Sequence, residues 1–259
     1  MHAAAAPLQV CDLGKSFGLE DERPIEVIGS ISLTLAAGEI VSIVGPSGCG
    51  KTTLLNAICG LVPRSRGMVL WHGKALAGVP PRLGYMLQKD LLLPWRTAMG
   101  NILLGLQVKR TDRNGRERRA RALLAQLGLS EFGDHYPSTL SGGMRQRVAL
   151  ARTLATDPEV LLLDEPFSAL DFQTKILLER DTARLIRGEG RSLLLITHDV
   201  EEAVGLSDRV IVLSRRPCTV VAEHRIDLPG DRTDMIALRE TRAFAATVRE
   251  IWRELDIGS

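Results

Sequence analysis

Ile40-Val41-Ser42-Ile43-Val44-Gly45-Pro46-Ser47-Gly48-Cys49-Gly50-Lys51-Thr52-Thr53-Leu54-Leu55-Asn56-Ala57-Ile58-Cys59 passes from an apolar run through a glycine-rich turn into a helical pattern. Strand, glycine turn and helix form the setting in which G-x-x-x-x-G-K-[ST] binds phosphate. Glycines let the backbone face its N–H groups inward on an anion, and the helix N-terminus adds positive potential. In that setting Lys51 reaches the β- and γ-phosphates and the Thr52 hydroxyl ligates Mg²⁺. The candidate cradle is therefore Gly45, Pro46, Ser47, Gly48, Cys49, Gly50, Lys51, Thr52 and Thr53. A glycine-rich turn with no ligand is the alternative, and the loop alone leaves it open. Cys49, beside the helix N-terminus, is expected to have a lowered thiol pKa and a reactive sulfur.

Composition bounds what surrounds this loop. A length of 259 residues suits one large domain or two small ones. A hydrophobic content of 45% with 25% charged residues is that of an ordinary globular protein. The net charge of +2 gives no global field for nucleic acid, so no nucleic-acid partner is expected. Met1 to Pro7 lacks the basic region and apolar core of a signal peptide, and no stretch has the apolar length of a membrane span. Cys11, Cys49, Cys59 and Cys218 fall in no metal-ligand spacing, so a reduced, cytosolic chain is the expectation.

Upstream of the loop, Leu8 to Leu13 reads as a strand, followed by a turn at Lys15-Ser16-Phe17-Gly18. Ile31, Leu33 and Leu35 alternate with Ser32 and Thr34, the pattern of a strand with one buried face. Downstream, Met68 to Trp71 with His72-Gly73 suggests a hairpin, and Leu83 to Leu87 a buried strand ending at Gln88. From about Ala98 to Ala155 the pattern is helical. Within it Asn114 to Leu127 carries Arg116, Arg118, Arg119 and Arg121 opposite Leu123, Leu124 and Leu127, a solvated face or a binding patch. Strands return at Val160–Leu163, Ser192–Ile196 and Val210–Leu213, separated by the helices Asp171–Arg187 and Val200–Leu206. Uninterrupted apolar strands alternating with helices mean a parallel sheet covered on both faces. Asp231 to Leu255 reads as one amphipathic helix, and no repeat or low-complexity linker is visible.

Two further motifs carry chemistry. Val160 to Pro166 is an apolar strand ending in Asp164 and Glu165. With a phosphate loop upstream, Asp164 would bind Mg²⁺ beside Thr52, and Glu165 could polarise the attacking water. A polar loop start is the bland alternative. Leu140-Ser141-Gly142-Gly143 opens a helix that runs through Ala155. Ser141 is a good N-cap, but paired glycines behind a cap weaken a helix. A second phosphate-facing N-terminus explains them better.

LSGG at Leu140 to Gly143, the phosphate loop and LLLDEP at Leu161 to Pro166, in this spacing along the chain, resemble the ATP-binding subunit of an ABC transporter. The resemblance implies an α/β P-loop NTPase with a RecA-like parallel-sheet core, an N-terminal antiparallel β part and an inserted helical subdomain. As a single ABC ATPase domain over 1–259, it would place the core at 1–88 and 159–230, the helical part at about 89–158 and a helical tail at 231–259. It implies that Phe17 stacks on adenine; an aromatic in a bare sequence is more often core, but the turn position before the sheet favours stacking. It also implies that Gln88 senses Mg²⁺ and nucleotide, that Ser168-Ala169-Leu170-Asp171 crosses a dimer interface, and that His198 contacts the γ-phosphate. Glu165 and His198 are thus the expected catalytic pair, and Thr52, Gln88 and Asp164 the expected metal set, with ATP and Mg²⁺ as cofactors. Two copies would sandwich two ATP molecules, each between one copy's phosphate loop and the other's Ser141, Gly142 and Gly143. Implied partners are a second ATPase subunit, membrane-spanning permease subunits and, indirectly, an extracytoplasmic solute-binding protein. The implied location is peripheral, on the cytoplasmic face of the inner membrane. Leu92-Leu93-Pro94-Trp95-Arg96-Thr97 is similar in wording to importers of nitrate, sulfonates and taurine. A soluble ABC ATPase of DNA repair or translation is a rival, although such forms usually carry a long coiled coil or a second ATPase. A P-loop kinase, an exporter subunit and an importer subunit for another substrate class are the others.

Overall fold

The computed structural model describes residues 6–18, 24–108, 112–168, 170–232 and 234–257. Met1 to Ala5 of the leader reading and Ala169 of the interface loop lie outside them. Two sheets organise the chain. The first is antiparallel, ordered β2-β1-β4-β5, with β1 Leu8–Phe17, β2 Ile25–Leu35, β4 Arg66–Trp71 and β5 Lys74–Ala75. The second is ordered β10-β9-β3-β8-β7-β6, with β3 Ile40–Val44, β6 Leu83–Met86, β7 Val160–Asp164, β8 Ser192–Ile196, β9 Arg209–Leu213 and β10 Val220–Arg225. All its neighbours pair in parallel except β10, which runs antiparallel on β9.

Strands β3, β7 and β8 are buried at every position, as their unbroken apolar runs require of a sheet covered on both faces. Alternation then divides each strand between two cores. Ile40, Leu161, Leu163, Leu193 and Leu195 pack on the side of helices α2 Ala98–Val108, α3 Arg113–Gln126 and α4 Gly142–Ala155. Val41, Ile43, Leu162, Leu194 and Ile196 pack instead with α1 Lys51–Ile58 and the antiparallel sheet. The remaining helices are α5 Phe172–Gly188, α6 Val200–Leu206, α7 Met235–Arg239 and α8 Arg242–Ile257. Because the parallel strands share one direction, the segments after β3, β6, β7, β8 and β9 all emerge at one edge, where ligands of open α/β sheets bind.

Three local expectations are corrected. Lys15 to Phe17 is strand and not turn, because the ladder with β2 continues through Lys15 opposite Ile28 and Phe17 opposite Ile25. Strand β6 is an edge strand with half its side chains partly exposed, not a fully buried one. The C-terminal helix is two helices: Asp234 caps α7, and Thr241 Oγ1 accepts from Phe244 N at 3.2 Å at the start of α8. Strand β10, with polar residues at Glu223 to Arg225, had no sequence signal. The hairpin at His72-Gly73 is present, with both residues at positive φ as a primed turn requires.

Candidate functional site

The phosphate loop leaves β3 and enters α1 with Gly50 as N-cap and no side chain capping the helix. Its first-turn N–H groups are therefore left for a ligand. Gly48 and Gly50 sit at φ 73° and 125°. At Gly50 an added Cβ would lie 2.9 Å from Val27 Cγ1, so both backbone and space demand glycine there. Lys51 is 7% exposed. Its ammonium folds back on the loop, donating to Gly45 O at 2.7 Å and Pro46 O at 3.0 Å. An anion in the cradle can take those donors, since charge-assisted bonds to phosphate outweigh bonds to neutral carbonyls.

The end of β7 and the residue after it deliver two carboxylates with opposite surroundings. Asp164 is 3% exposed, and burial raises its pKa against the opposing hydrogen bond from Thr52 and charge of Lys51. Glu165 follows in the left-handed region at φ 47°, a conformation that costs free energy in a non-glycine residue. That turn points its carboxylate at two partners from the segments that follow the neighbouring strands β6 and β8. Gln88 Nε2 donates to Glu165 Oε2 at 3.0 Å, and His198 Nδ1 lies 3.2 Å from the same oxygen. A cavity of about 370 Å³ is walled by Ser47, Lys51, Thr52, Gln88, Glu165 and Arg216, among others.

Ser141 caps α4, its Oγ accepting from Met144 N at 3.3 Å. An added Cβ on Gly143 would lie 2.5 Å from Thr174 Cγ2, which packs the glycine turn against α5. Gly142 borders a different cavity, of about 550 Å³, together with Asp90, Arg145, Gln146 and Ser168. Within one chain Ser141, Gly142 and Gly143 are thus not brought to the phosphate cavity, and Gln88 borders both. Asp171 caps α5 through Thr174 N at 3.0 Å and also lies outside the phosphate cavity.

The family model described as ABC transporter matches residues 28–168. The chain belongs to the ABC transporter family. It is 43% identical over 243 residues to an aliphatic sulfonates import ATP-binding protein of Xanthomonas axonopodis pv. citri, covering 92% of this chain and 94% of that one. It is 39% identical over 232 residues to a taurine import ATP-binding protein of Rhizobium johnstonii, covering 88% of each. Among solved structures, a dimeric ATP-binding cassette in a post-hydrolysis state with ADP and Pi is similar at a TM-score of 0.76 and 30% identity. That match covers 85% of this chain and 99% of the other. The fold is that of an ABC ATPase, and ATP hydrolysis coupled to transport is its activity.

Other expected site residues of this ABC ATPase fall elsewhere. Phe17 ends β1, exposed, with Lys15 Nζ 4.5 Å from its ring centroid, and does not border the phosphate cavity. Cys49 is 2% exposed, and its thiol is lowered to about 6. The chief cause is a hydrogen bond from the Cys218 thiol, which outweighs the opposing burial; the charge of Lys51 and the backbone N–H groups of Lys51 and Cys49 at the helix N-terminus lower it further. Cys218 is correspondingly raised. Sequence reasoning passed over Arg216, whose Nη2 donates to Gly48 O at 2.8 Å. The available signal was positional: a segment that follows a strand parallel to β3 must emerge beside the loop that follows β3.

The segment after Gln88 is tied to α4 and exposed beyond it. Gln146 Nε2 donates to Gln88 O at 3.3 Å, Arg145 Nε to Asp90 Oδ2 at 3.1 Å, and Arg152 to Asp90 O at 2.6 Å and Leu91 O at 2.8 Å. Buried Asn101 donates to Leu93, Arg96 and Thr97 carbonyls. Leu92 is buried by this clamp, whereas Trp95 is 71% exposed.

Proposed function

We propose that this chain is the ATPase subunit of an importer for a small sulfonate-type solute such as taurine, working as a homodimer beneath membrane-spanning permease subunits. The observation that carries the catalytic part is the convergence of Gln88 and His198 on one oxygen of Glu165 at the rim of the phosphate cavity. Lys51 would leave the Gly45 and Pro46 carbonyls for the β- and γ-phosphates. Glu165 would then orient and polarise the attacking water, held in place by Gln88 and His198. Ser141, Gly142 and Gly143 of a second copy would close over the γ-phosphate, which is why they need not reach their own chain's cavity. Phe17 would meet the adenine, and Asp171 the partner copy.

The donors at hand fit Mg²⁺: Thr52 hydroxyl, Asp164 carboxylate and Gln88 amide are hard oxygen ligands of the kind this ion takes beside phosphates. Bound there with ATP, the ion would neutralise charge on the phosphate oxygens. Residues 1–88 and 159–230 would act as the nucleotide-binding core and about 89–158 as a helical lever, with Gln88 at the joint and 231–259 as a tail. Trp95 and its neighbours would face the permease. Among the described residues no helix is long and apolar enough to cross a membrane. The peripheral, cytoplasmic-side placement is supported by the relatives' names as import ATP-binding proteins. The sulfonate class is supported by the relatives' names and by the Leu92 to Thr97 wording.

Glu165→Gln tests the catalytic assignment. Turnover is expected to fall about 10²–10⁴-fold with ATP binding kept. Near-normal hydrolysis in that variant sinks it. For the transport assignment, the subunit is reconstituted with its permease and solute-binding protein. ATPase stimulation by taurine or alkanesulfonates is expected, and stimulation by a sugar alone would refute the substrate class.

A further inference from the structure

Strand β9 lies beside β3 in parallel register, with Val212 opposite Val44, so the segment after Leu213 emerges next to the phosphate loop. That segment is a closed loop. Ser214 N donates to Thr219 O at 3.0 Å, and Thr219 N donates back to Ser214 Oγ at 2.9 Å. Cys218 fastens it to β2, its N–H donating to Val27 O at 3.0 Å and its carbonyl accepting from Gly29 N at 2.9 Å. The loop is therefore a fixed shelf, and Arg215 and Arg216 stand on it exposed.

The two arginines are not equivalent. Arg216 donates Nη2 to Gly48 O at 2.8 Å and borders the inner cavity with Lys51 and Thr52. Arg215 borders only the outer hollow of about 660 Å³ over Pro46 to Cys49. Among the described residues no carboxylate pairs with Arg216, so its charge faces the cavity uncompensated. A guanidinium presents five N–H donors in one plane. It can keep one on Gly48 and turn another to an anion, and a phosphate oxygen is a stronger acceptor than a carbonyl.

We propose that Arg216 is a nucleotide-contacting residue, a second cation beside Lys51 that bonds a polyphosphate oxygen while bracing the loop through Gly48. The proposal rests on the nucleotide reading of the phosphate loop. Its test is ATP and ADP affinity of the full-length protein by calorimetry, for wild type, Arg216→Ala, Arg216→Lys and Arg215→Ala, at low salt and at 0.5 M NaCl. Arg216→Ala should raise the Kd for both nucleotides about tenfold at low salt, with the gap narrowing to about threefold in high salt as the charge is screened. Arg216→Lys should stay within about threefold of wild type, and Arg215→Ala should change little. Affinity in Arg216→Ala equal to wild type overturns the contact. A loss as large in Arg215→Ala reduces it to a general field, and a salt-independent gap reduces it to a brace. Should Arg216→Ala fail to fold, by circular dichroism, Arg216→Gln takes its place with the same expectation. Failure of the wild type itself to bind ATP would instead fall on the nucleotide reading, so the two failures are separable.

Discussion

At the scale of single residues, Cys49 shows how a neighbour outweighs a local field. Its thiol is drawn down to about 6 because Cys218 donates to the sulfur and Lys51 adds positive charge, while burial pushes the other way. Cys218→Ser should therefore keep the Cys49 thiol low, because a hydroxyl still donates to the sulfur, and Cys218→Ala should return it toward the usual thiol range. Thiolate absorbance near 240 nm followed against pH reads this directly. An unchanged midpoint in the alanine variant would assign the shift to Lys51 or the helix instead. Gly50 makes a second point. Gly50→Ala places a Cβ 2.9 Å from Val27 Cγ1 at φ 125°. The loop must then shift, and ATP affinity is expected to fall at least tenfold with global unfolding changed by only about 1–3 kcal/mol. Glycine demands of this kind are legible in sequence because motif and backbone requirement lie within nine residues. Arg216 was not legible, because its partner Gly48 lies 168 residues away and only the β3–β9 pairing brings them together.

At the scale of elements, α5, α6 and α7 meet through buried charge. Lys175 of α5 lies 2.6 Å from Asp199 and 2.8 Å from Glu202, and Arg239 of α7 bonds Glu179 at 3.0 Å. Asp199 also caps α6 one residue after His198, so this cluster stands directly behind the histidine that meets Glu165. Burial is the largest influence on Glu179 and Glu202 and raises both to about 7, outweighing Arg239 and Lys175. Among the described residues Glu202 Oε1 has no hydrogen-bond partner, which adds to the cost of its charge. A carboxyl with a folded-state pKa above its unfolded value binds its proton more tightly when folded. Its contribution is complete below about 4.5 and is lost as pH rises through about 7. Asp199 is shifted down and acts only under more acidic conditions. Wild-type stability should thus decline from pH 5 to 8 by an amount on the order of 3 kcal/mol per raised carboxyl. Glu202→Gln should flatten that decline, as read from urea midpoints across the range; an unaltered slope would exclude Glu202 as its source. The sequence showed both α5 and α6 but not this cluster, since its members come from three elements. The same limit explains β10 and the break at Thr241, where apolar periodicity is weak and a partner strand or a capping hydroxyl settles the structure.

At the scale of the whole molecule, the phosphate loop and the α4 N-terminus border separate cavities, and Gln88 is the residue common to both walls. In the proposed arrangement the chain would bind a nucleotide with one surface and offer a second helix N-terminus, at Ser141, to another nucleotide. Self-association then follows from geometry: two copies related by a twofold axis can each supply what the other's site lacks. Binding that needs both copies makes the active species a dimer whose population depends on concentration. Specific ATPase activity should accordingly rise with protein concentration, and Glu165→Gln should elute at dimer mass with ATP and at monomer mass without it. Ser141→Arg, which fills the α4 N-terminus with a bulky cation, should abolish that ATP-dependent dimer and lower turnover at least tenfold, while leaving ATP binding to the phosphate loop intact. Size-exclusion chromatography with light scattering measures the first effect and equilibrium binding the second. The shared-site reading fails if the Ser141→Arg variant dimerises normally with ATP, or if wild-type turnover per subunit stays constant on dilution. Either result would leave the phosphate loop as a complete site and remove the reason for a second copy.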